Sequence, residues 1–365
     1  MNIIMLLTNA FDLDVRVYKE AVYLVKQGHH VTILCWDRDA KTTLPQKEVR
    51  DGIRVIRFRS PSVPGTGYRQ IGAYLKYVRS CRKYLSRHKA DYIHCHDFDG
   101  MMALRLTGNK KIPYVFDMHE LYNRGSRMKR AITRKIVENS IKKSYWSIAV
   151  LPVQSLKISQ SLSGKIVILK NYPDVSYLSY SEKVPASELR IGYHGTVRKQ
   201  IPYFKALFEA CKGLEDVRVD INGGGPDLPV LKKMEKDYNN VYVHGKYDGI
   251  TDSERLYQNT DLIFCCYDPN DPQYRHKDLE AVKFYEAIVT GTPLIMTEGI
   301  GMGEKVEKFG FGFVVNTEDS KAIRDIILKV RDNRQLLKEC ANRMLEKADE
   351  YKWETAVKVL DQIYG

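Results

Sequence analysis

Residues 2–36 read NIIMLLTNAFDLDVRVYKEAVYLVKQGHHVTILCW and place an apolar run on each side of a helical pattern. One face of that pattern, near residues 15–27, carries apolar residues spaced three and four apart: Tyr18, Ala21, Val22 and Val25. Gly28 follows, where a left-handed helix cap is expected. Both runs are continuously apolar, which is typical of parallel strands covered on both faces. The stretch therefore predicts a strand–helix–strand unit of a parallel sheet.

The same alternation of strand, loop and helix continues along the chain. Further strands are predicted at IRVIRF, DYIHC, YVFDM, WSIAV and IVIL, and later at LRIGY, VRVDI, VYV, DLIFCC, PLIM and GFVV. Between the two sets, residues 171–188 are rich in Pro, Ser and Tyr and show no periodicity, so we interpret them as a linker. The pattern predicts two doubly wound α/β domains, at residues 1–175 and 176–349.

Composition narrows the class of protein. The 365 residues are 44% hydrophobic and 28% charged, which is typical of a globular protein and excludes disordered, collagen-like and coiled-coil classes. No apolar run approaches the roughly 20 residues of a spanning helix, and the N-terminus lacks the basic start and longer apolar core of a signal peptide. Seven dispersed cysteines indicate buried, reduced thiols. We therefore expect a cytoplasmic protein.

Charge is distributed unevenly. Residues 1–180 contain 31 Lys and Arg against 14 Asp and Glu, whereas residues 181–365 contain 27 against 31. Two segments of the first half concentrate the excess. Residues 68–89 carry seven basic residues and no acid, and residues 124–143 carry eight basic residues and one acid. Both segments are predicted to be amphipathic helices. Docking on an anionic membrane surface, a solvated basic face and attraction of an anionic acceptor remain open alternatives.

Polar residues follow the predicted strands, at the edge where parallel sheets bind ligands. His96 and Asp97 follow DYIHC, and His119 and Glu120 follow YVFDM. In the second half, glycines and basic residues predict an anion site, most simply for a phosphate. Those residues are Gly195, Arg198, Lys199, Gly223, Gly224, Gly225, Lys246 and Tyr247. A tight strand-to-helix turn remains the alternative for the three consecutive glycines. There is no Walker A sequence and no GxGxxG after the first strand.

Residues 278–293, DLEAVKFYEAIVTGTP, give the most specific pattern. They resemble the nucleotide-sugar motif of family 4 glycosyltransferases with the GT-B fold, in which an acid precedes a glutamate by eight residues and Gly-x-Pro follows. The matching residues are Glu286, Ala287, Gly291 and Pro293, with Lys283 matching a Lys-Phe-x-Glu variant. We expect Glu286 to open a helix and to accept hydrogen bonds from a ribose diol.

The resemblance extends over nearly the whole chain. The segments DVRVYKEAVYLVKQGHHVTIL, DYIHCHD, YVFDMHELY, ILKNYPD, INGGGPD and EKFGFGFVV are each similar to their counterparts in that family. It implies two Rossmann-like domains facing across a cleft. It also implies a last helix, within residues 350–365, that returns to the first domain with Trp353 as a possible anchor. The first domain would bind the acceptor and the second the donor.

The resemblance also implies a reaction: transfer of a sugar from a nucleoside diphosphate sugar with retention of anomeric configuration. The expected donor is a UDP-sugar, with a GDP-sugar as the alternative, and no metal or tightly bound cofactor is required. Asp97 and Asp99 do spell a DxD sequence, but we favour no metal role for them. The expected acceptor is a lipid-linked or polysaccharide glycan of cell-surface polysaccharide synthesis.

The implied catalytic residues are His119, which would face the donor sugar, Glu286, and Asp278 in the position of the family's first glutamate. Asp278 is one methylene shorter than that glutamate, so Glu280 is an alternative. Where the family often has an arginine and a lysine after the glycine equivalent to Gly195, this chain has Thr196 and Ile201. Arg198 and Lys199 are the candidates for the diphosphate clamp. Tyr247 is expected either to stack on the base or to pack in the core.

Two other functions remain in consideration. A sugar-nucleotide epimerase or hydrolase on the same architecture would process the donor without an acceptor. A nucleic-acid-binding protein would use the basic first half. No recognisable nucleic-acid module is present, so we expect no nucleic-acid partner. A structural role at a strand end is the alternative for His119.

Overall fold

The computed structural model describes residues 1–12, 14–39, 43–63, 67–119, 122, 126–152, 156–271 and 274–365. Glu120 and the first two residues of the basic segment 124–143 lie outside these ranges. The chain divides into two compact units. Unit 1 comprises Met1–Lys170 and Val357–Gly365, and unit 2 comprises Asn171–Ala356.

Unit 1 is built on a sheet of eight strands in the order β3-β4-β2-β1-β5-β6-β7-β8. All neighbouring pairs are parallel except β3–β4. Strand order reverses between β1 and β5, which is where open parallel sheets bind ligands. The strands are β1 (Asn2–Leu7), β2 (His30–Asp37), β3 (Lys47–Arg50), β4 (Ile53–Arg59), β5 (Tyr92–His96), β6 (Tyr114–Met118), β7 (Trp146–Ala149) and β8 (Ile166–Ile168).

The helices of unit 1 begin and end where local chemistry dictates. Asp14 caps the first helix by accepting from the Val17 amide, and Gly28, at a φ of +83°, follows its end. Ser126 caps the fourth helix by accepting from the Lys129 amide. The helices are α1 (Val15–Lys26), α2 (Ile71–Leu85), α3 (Asp97–Thr107) and α4 (Arg127–Lys143), and the last turn of the chain, Asp361–Tyr364, also belongs to this unit.

Unit 2 has a fully parallel sheet of six strands in the order β11-β10-β9-β12-β13-β14, so its order reverses between β9 and β12. The strands are β9 (Leu189–His194), β10 (Val217–Asn222), β11 (Val241–Gly245), β12 (Leu262–Cys265), β13 (Leu294–Thr297) and β14 (Gly312–Val315). The helices are α5 (Ile201–Cys211), α6 (Leu228–Met234), α7 (Ser253–Gln258), α8 (Val282–Val289), α9 (Gly301–Phe309), α10 (Ser320–Asp332), α11 (Gln335–Lys347) and α12 (Trp353–Ala356).

These observations confirm the predicted fold class of two parallel-sheet α/β domains. The central strands are buried along almost their whole length, as their continuous hydrophobicity indicated, and all seven cysteines are free and buried. Among the described residues, no helix combines the length and the hydropathy that crossing a bilayer requires.

Three details differ from the expectations. The sequence pattern missed β3, an antiparallel edge strand joined to β4 by Asp51 and Gly52, both at positive φ. Residues 171–188 are packed into unit 2 rather than forming a free linker, since Leu178 belongs to its core. Trp353 also lies in unit 2, where its amide donates to the Pro173 carbonyl, so it does not anchor the return of the chain to unit 1.

Candidate functional site

In unit 1, the carboxyl ends of β5 and β6 bring two predicted residues together. Asp97, the first residue of α3, is held at a φ of +58°. Its Oδ1 accepts from the His119 amide and from the Tyr122 hydroxyl, each at 3.1 Å. Its Oδ2 lies 3.4 Å from Nδ1 of His119. Asp97 therefore fixes both the backbone and the ring of His119.

A buried carboxylate, Asp117, organises the other side of His119. Its Oδ2 lies 2.7 Å from His119 Nε2, and its Oδ1 accepts from Nη2 of Arg16 at 3.0 Å. Burial alone would raise the pKa of Asp117, but the charges of Arg16 and His119 hold it well below its ordinary value. Burial would lower the pKa of His119, yet Asp117 and Asp97 raise it to about 9. His119 is therefore an imidazolium at neutral pH, a hydrogen-bond donor rather than a base.

A second layer of buried polar groups lies behind Asp117. Arg16 Nε lies 3.0 Å from Oε1 of Glu20, and His94 Nε2 lies 3.6 Å from Oε2. Burial, followed by the charge of Asp117, raises the pKa of Glu20 to about 8. The Tyr364 hydroxyl, near the end of the chain, lies 2.9 Å from His94 Nδ1. The cluster is thus a charge network completed by the C-terminal segment.

Four side chains of this network could in principle hold a metal ion. Glu20, His94, His96 and Asp117 offer ligand atoms that all lie within 4.8 Å of one another, and all four are buried. Such oxygens and imidazoles are zinc ligands. However, the Arg16 guanidinium lies 3.0 Å from both carboxylates and already supplies their counter-charge. A divalent cation would sit beside a buried guanidinium, so the residues present fit an arginine-centred network better.

In unit 2, two glycine-containing loops follow β9 and β10 and touch each other. The Gly195 amide donates to the Asn222 carbonyl at 2.9 Å, and the Val197 amide donates to the Gly224 carbonyl at 2.8 Å. A Cβ on Gly223 would lie 1.7 Å from the Gly195 oxygen. The glycines are therefore needed for the close approach of two backbones. Because the amides of Gly195 and Val197 are used in this approach, side chains must supply much of any anion site here.

Glu286 lies beside these loops on α8. The helix begins at Val282, so the expectation that Glu286 opens it is wrong, and the glutamate lies in its second turn. The Tyr257 hydroxyl donates to Oε2 of Glu286 at 3.0 Å. The rings of Tyr257 and Tyr247 lie 5.0 and 6.4 Å from that of His194, at the end of β9. Burial, followed by the charge of Glu286, raises the pKa of Tyr247. Glu286 and Tyr247 are thus neighbours beside the loop that follows β9.

Lys283, one turn before Glu286, is a site residue to which the sequence assigned no role. Its ammonium lies 3.7 Å from the ring centroid of Tyr193, and the residue is only 8% exposed. Its Nζ also lies 3.2 Å from the position that a Cβ on Gly195 would take. The Lys-Phe-x-Glu pattern marked this lysine, but its proximity to a glycine 88 positions earlier could not be inferred.

The remaining predicted residues lie nearer the solvent. Arg198 and Lys199 are exposed, and the Lys199 amide donates to the carboxylate of Asp227. The side chain of Asp278 is 42% exposed, with Oδ2 3.8 Å from Nδ1 of His276. Glu280 is buried instead, where it accepts from the Tyr285 hydroxyl at 2.7 Å and pairs with Lys305. Because Glu280 already has these partners, Asp278 is the better candidate for contact with a ligand.

Comparison with known proteins gives matches along most of the chain. Residues 13–150 match the family described as glycosyl transferase 4-like domain, and residues 183–349 match glycosyl transferases group 1. No curated protein sequence matches the chain.

Solved structures share the fold at low identity. Sucrose-phosphate synthase from Thermosynechococcus elongatus is 16% identical, with a TM-score of 0.77 over 100% of this chain and 98% of that one. Anabaena HepE in complex with UDP-glucose is 15% identical, with a TM-score of 0.70 over 100% and 99%. WaaG, a glycosyltransferase involved in lipopolysaccharide biosynthesis, is 15% identical, with a TM-score of 0.65 over 99% of each chain. Both halves of the chain therefore match glycosyltransferase domains.

Proposed function

We propose a donor, an acceptor class and a mechanism for this chain, which belongs to the glycosyltransferases of the GT-B fold and is an enzyme. The donor is a nucleoside diphosphate sugar, with a UDP-sugar as the first choice and a GDP-sugar as the alternative. The observation that carries this proposal is the Glu286 carboxylate, held by Tyr257 beside the glycine loops of unit 2. One fixed oxygen leaves the group oriented for a ribose diol. The binding of UDP-glucose by HepE supports the choice of nucleotide.

The proposed reaction retains the anomeric configuration. As the bond to the diphosphate breaks, the leaving group gains negative charge and the sugar becomes oxocarbenium-like, so fixed positive charge stabilises the transition state. His119 suits a role as a charged hydrogen-bond donor to the sugar or its phosphate, because Asp117 and Asp97 keep it protonated. With His119 protonated, we assign the proton of the acceptor hydroxyl to the leaving diphosphate.

The donor can be identified by thermal stabilisation with UDP, GDP and ADP and their sugars, comparing the wild type with Glu286→Ala. A ligand raises the melting temperature according to its concentration relative to its dissociation constant. We expect one nucleotide to stabilise the wild type and not the variant. Glu304→Ala, which removes an exposed acid of α9, is the matched control. A Glu286→Ala protein that keeps the full shift would contradict the donor site.

Product analysis tests the reaction itself. The identified donor is incubated with and without a glycan acceptor, and the anomeric configuration of the product is read by NMR. Transfer with retention is the expected result. Rapid conversion of the donor without an acceptor would instead indicate the epimerase or hydrolase alternative.

The proposed acceptor is a lipid-linked or polysaccharide glycan of cell-surface polysaccharide synthesis, met at the cytoplasmic face of a membrane. The start of α4 supports peripheral binding, since Met128 and Ile132 are 73% and 54% exposed and lie among basic residues. A basic surface with exposed apolar side chains favours anionic lipid. That WaaG acts in lipopolysaccharide biosynthesis supports this class of acceptor.

A cavity of 750 Å³ beside α2 suits an anionic amphiphile. Ile56, Phe58 and Tyr84 contribute apolar and aromatic surface to its lining, and Lys83 and Arg87 contribute positive charge. Unlike the start of α4, this cavity could take a single lipid-linked molecule rather than a bilayer surface.

Co-sedimentation with phosphatidylcholine vesicles, with and without phosphatidylglycerol, tests the membrane proposal. We expect salt-sensitive binding only to the anionic vesicles, and its loss in Met128→Asp/Ile132→Asp. Val230→Asp, at an exposed position of unit 2, controls for added charge. Absence of binding at low salt would overturn the proposal.

A further inference from the structure

Lys283 is buried without a carboxylate partner. Among the described residues, no carboxylate forms an ion pair with its ammonium, whose nearest recorded ring neighbours are Tyr193 at 3.7 Å and Tyr267 at 5.5 Å. Burial acts to lower its pKa, but Tyr193 and Cys265 more than offset that effect, so the group stays charged. A desolvated ammonium is partly stabilised by aromatic faces.

Other cations of the same unit are treated differently. Arg190, also buried, makes a two-point contact with Asp261, at 2.9 Å for its closest pair of atoms. Lys305 is paired with the buried Glu280. Buried charges are normally paired because an unpaired one is costly. Lys283 departs from this pattern, which indicates that its counter-charge is a ligand.

The position of Lys283 identifies the kind of ligand. Its Cε and Nζ both lie 3.2 Å from where a Cβ on Gly195 would be, so the absence of a side chain there leaves space beside the ammonium. Gly195 directly follows β9, at the point where strand order reverses between β9 and β12. That end of a parallel sheet is where phosphate-containing ligands bind. Glu286, the proposed ribose contact, lies one turn further along α8.

We propose that Lys283 binds the diphosphate of the donor and supplies the clamp that Thr196 and Ile201 cannot. Lys283 thereby takes the role for which the sequence offered the exposed Arg198 and Lys199. This inference rests on the proposed function, because it assumes a nucleoside diphosphate donor. In the reaction, the lysine would stabilise the charge that the diphosphate gains on leaving.

The test compares nucleotide affinities. Dissociation constants of UDP and UMP, GDP and GMP, and ADP and AMP are measured by calorimetry for the wild type and Lys283→Met. We expect the wild type to bind one diphosphate about tenfold or more tightly than its monophosphate, the size of one charge-assisted contact. In Lys283→Met this gain should fall to about threefold or less. Lys205→Met, which removes an exposed lysine of α5, should leave the gain unchanged.

Two further variants guard the interpretation. Lys283→Gln keeps a polar side chain of similar length and should also lose the gain, which excludes a packing defect of the methionine. Arg198→Ala/Lys199→Ala tests the competing clamp and should keep most of the gain. If the double variant loses the gain while Lys283→Met keeps it, the assignment to Lys283 is wrong.

The ligand-free protein gives an independent readout. Since an unpaired buried charge is costly, Lys283→Met should melt no lower than the wild type. A lysine with a purely structural role would instead lower the melting temperature and leave the diphosphate gain intact. If the wild type binds none of the nucleotides, the proposed function fails and this inference fails with it. If it binds a diphosphate and Lys283→Met binds it equally well, only the inference fails.

Discussion

The two units handle buried charge in opposite ways. In unit 1, Arg16 faces two carboxylates, Asp117 and Glu20, and His119 lies between Asp117 and Asp97. In unit 2, Lys283 is buried against an aromatic ring with no carboxylate paired to it among the described residues. The first arrangement is complete within the protein, whereas the second lacks its counter-charge.

This difference separates stability from binding. A compensated network loses much stability when one member is removed, because the remaining charges stay buried without a partner. An uncompensated charge contributes little to stability and is retained for the ligand it attracts. Four measurements sharpen or break this comparison.

The largest expected effect is on stability, from Arg16→Met in unit 1. Removing the guanidinium leaves Asp117 buried beside Glu20, which should lower the free energy of unfolding by about 3–5 kcal/mol. Urea denaturation measures it. Lys277→Met breaks an exposed pair with Glu304 and should cost at most about 1 kcal/mol. Equal losses in the two variants would show that the network is not a compensated unit.

The next effect is on catalysis. Glu286→Ala and His119→Ala should each lower transfer at least ~100-fold, or about 2.7 kcal/mol, without unfolding the protein. Glu286→Ala should also weaken nucleotide binding, whereas His119→Ala should leave the dissociation constant of the free nucleotide unchanged. His244→Ala, an exposed histidine paired with Asp220, is the control. Ordinary turnover in a folded Glu286→Ala enzyme would refute the site assignment.

The pH dependence of stability should have opposite signs in the two units. The pKa of His119 is raised from 6.5 to about 9, so its contribution to stability is complete below pH 6.5 and is lost as pH rises through 9. Burial lowers the pKa of Lys183 in unit 2 from 10.5 to about 8, so the unfolded state binds more protons between these values and stability rises with pH there.

Urea denaturation across this range, with His119→Gln and Lys183→Met, separates the two contributions. The histidine variant should lose the decline between pH 6.5 and 9, and the lysine variant should lose the rise above pH 8. A decline that persists unchanged in His119→Gln would show that the Asp117 and Asp97 contacts do not raise the pKa of that imidazole.

The smallest effect concerns Tyr247, which lies half-buried beside Glu286 and His194. If it stacks on the base, Tyr247→Ala should weaken binding of the free nucleotide by about 1 kcal/mol, and Tyr247→Phe should not. If Tyr247 only packs, the alanine variant should melt earlier while its nucleotide affinity is unchanged. The second result would remove Tyr247 from the binding site.

Much of the fold could be predicted because parallel strands buried on both faces are continuously apolar. The strand β3 escaped that rule. It is a four-residue edge strand, KEVR, whose charged residues face solvent as edge strands require. The Asp51-Gly52 pair that follows is a hairpin signal and could have revealed it. The segment 171–188 was misinterpreted because Pro and Ser resemble a linker even where Leu178 is buried.

The site could be predicted only where sequence neighbours act together. Glu286 and its glycine-proline sequence lie within one local pattern, and the glycines after β9 and β10 follow strands. The Arg16–Asp117 pair joins residues 101 positions apart, and Lys283 meets Gly195 through the packing of a helix against a loop. Local periodicity contains no record of such pairings. The sequence therefore favoured Arg198 and Lys199, which are adjacent to the glycine in the chain.

Tyr364 has a consequence for how the protein is made. Its hydroxyl meets His94 in the buried network of unit 1, but the segment that carries it is synthesised only after all of unit 2, Asn171–Ala356. At about 5–20 residues per second, a ribosome takes roughly 10 to 40 seconds over that stretch. During this interval the nascent first unit holds its histidines and acids without their last partner. Final closure of the network must therefore follow translation of the second unit, and a stalled ribosome would leave the first unit open.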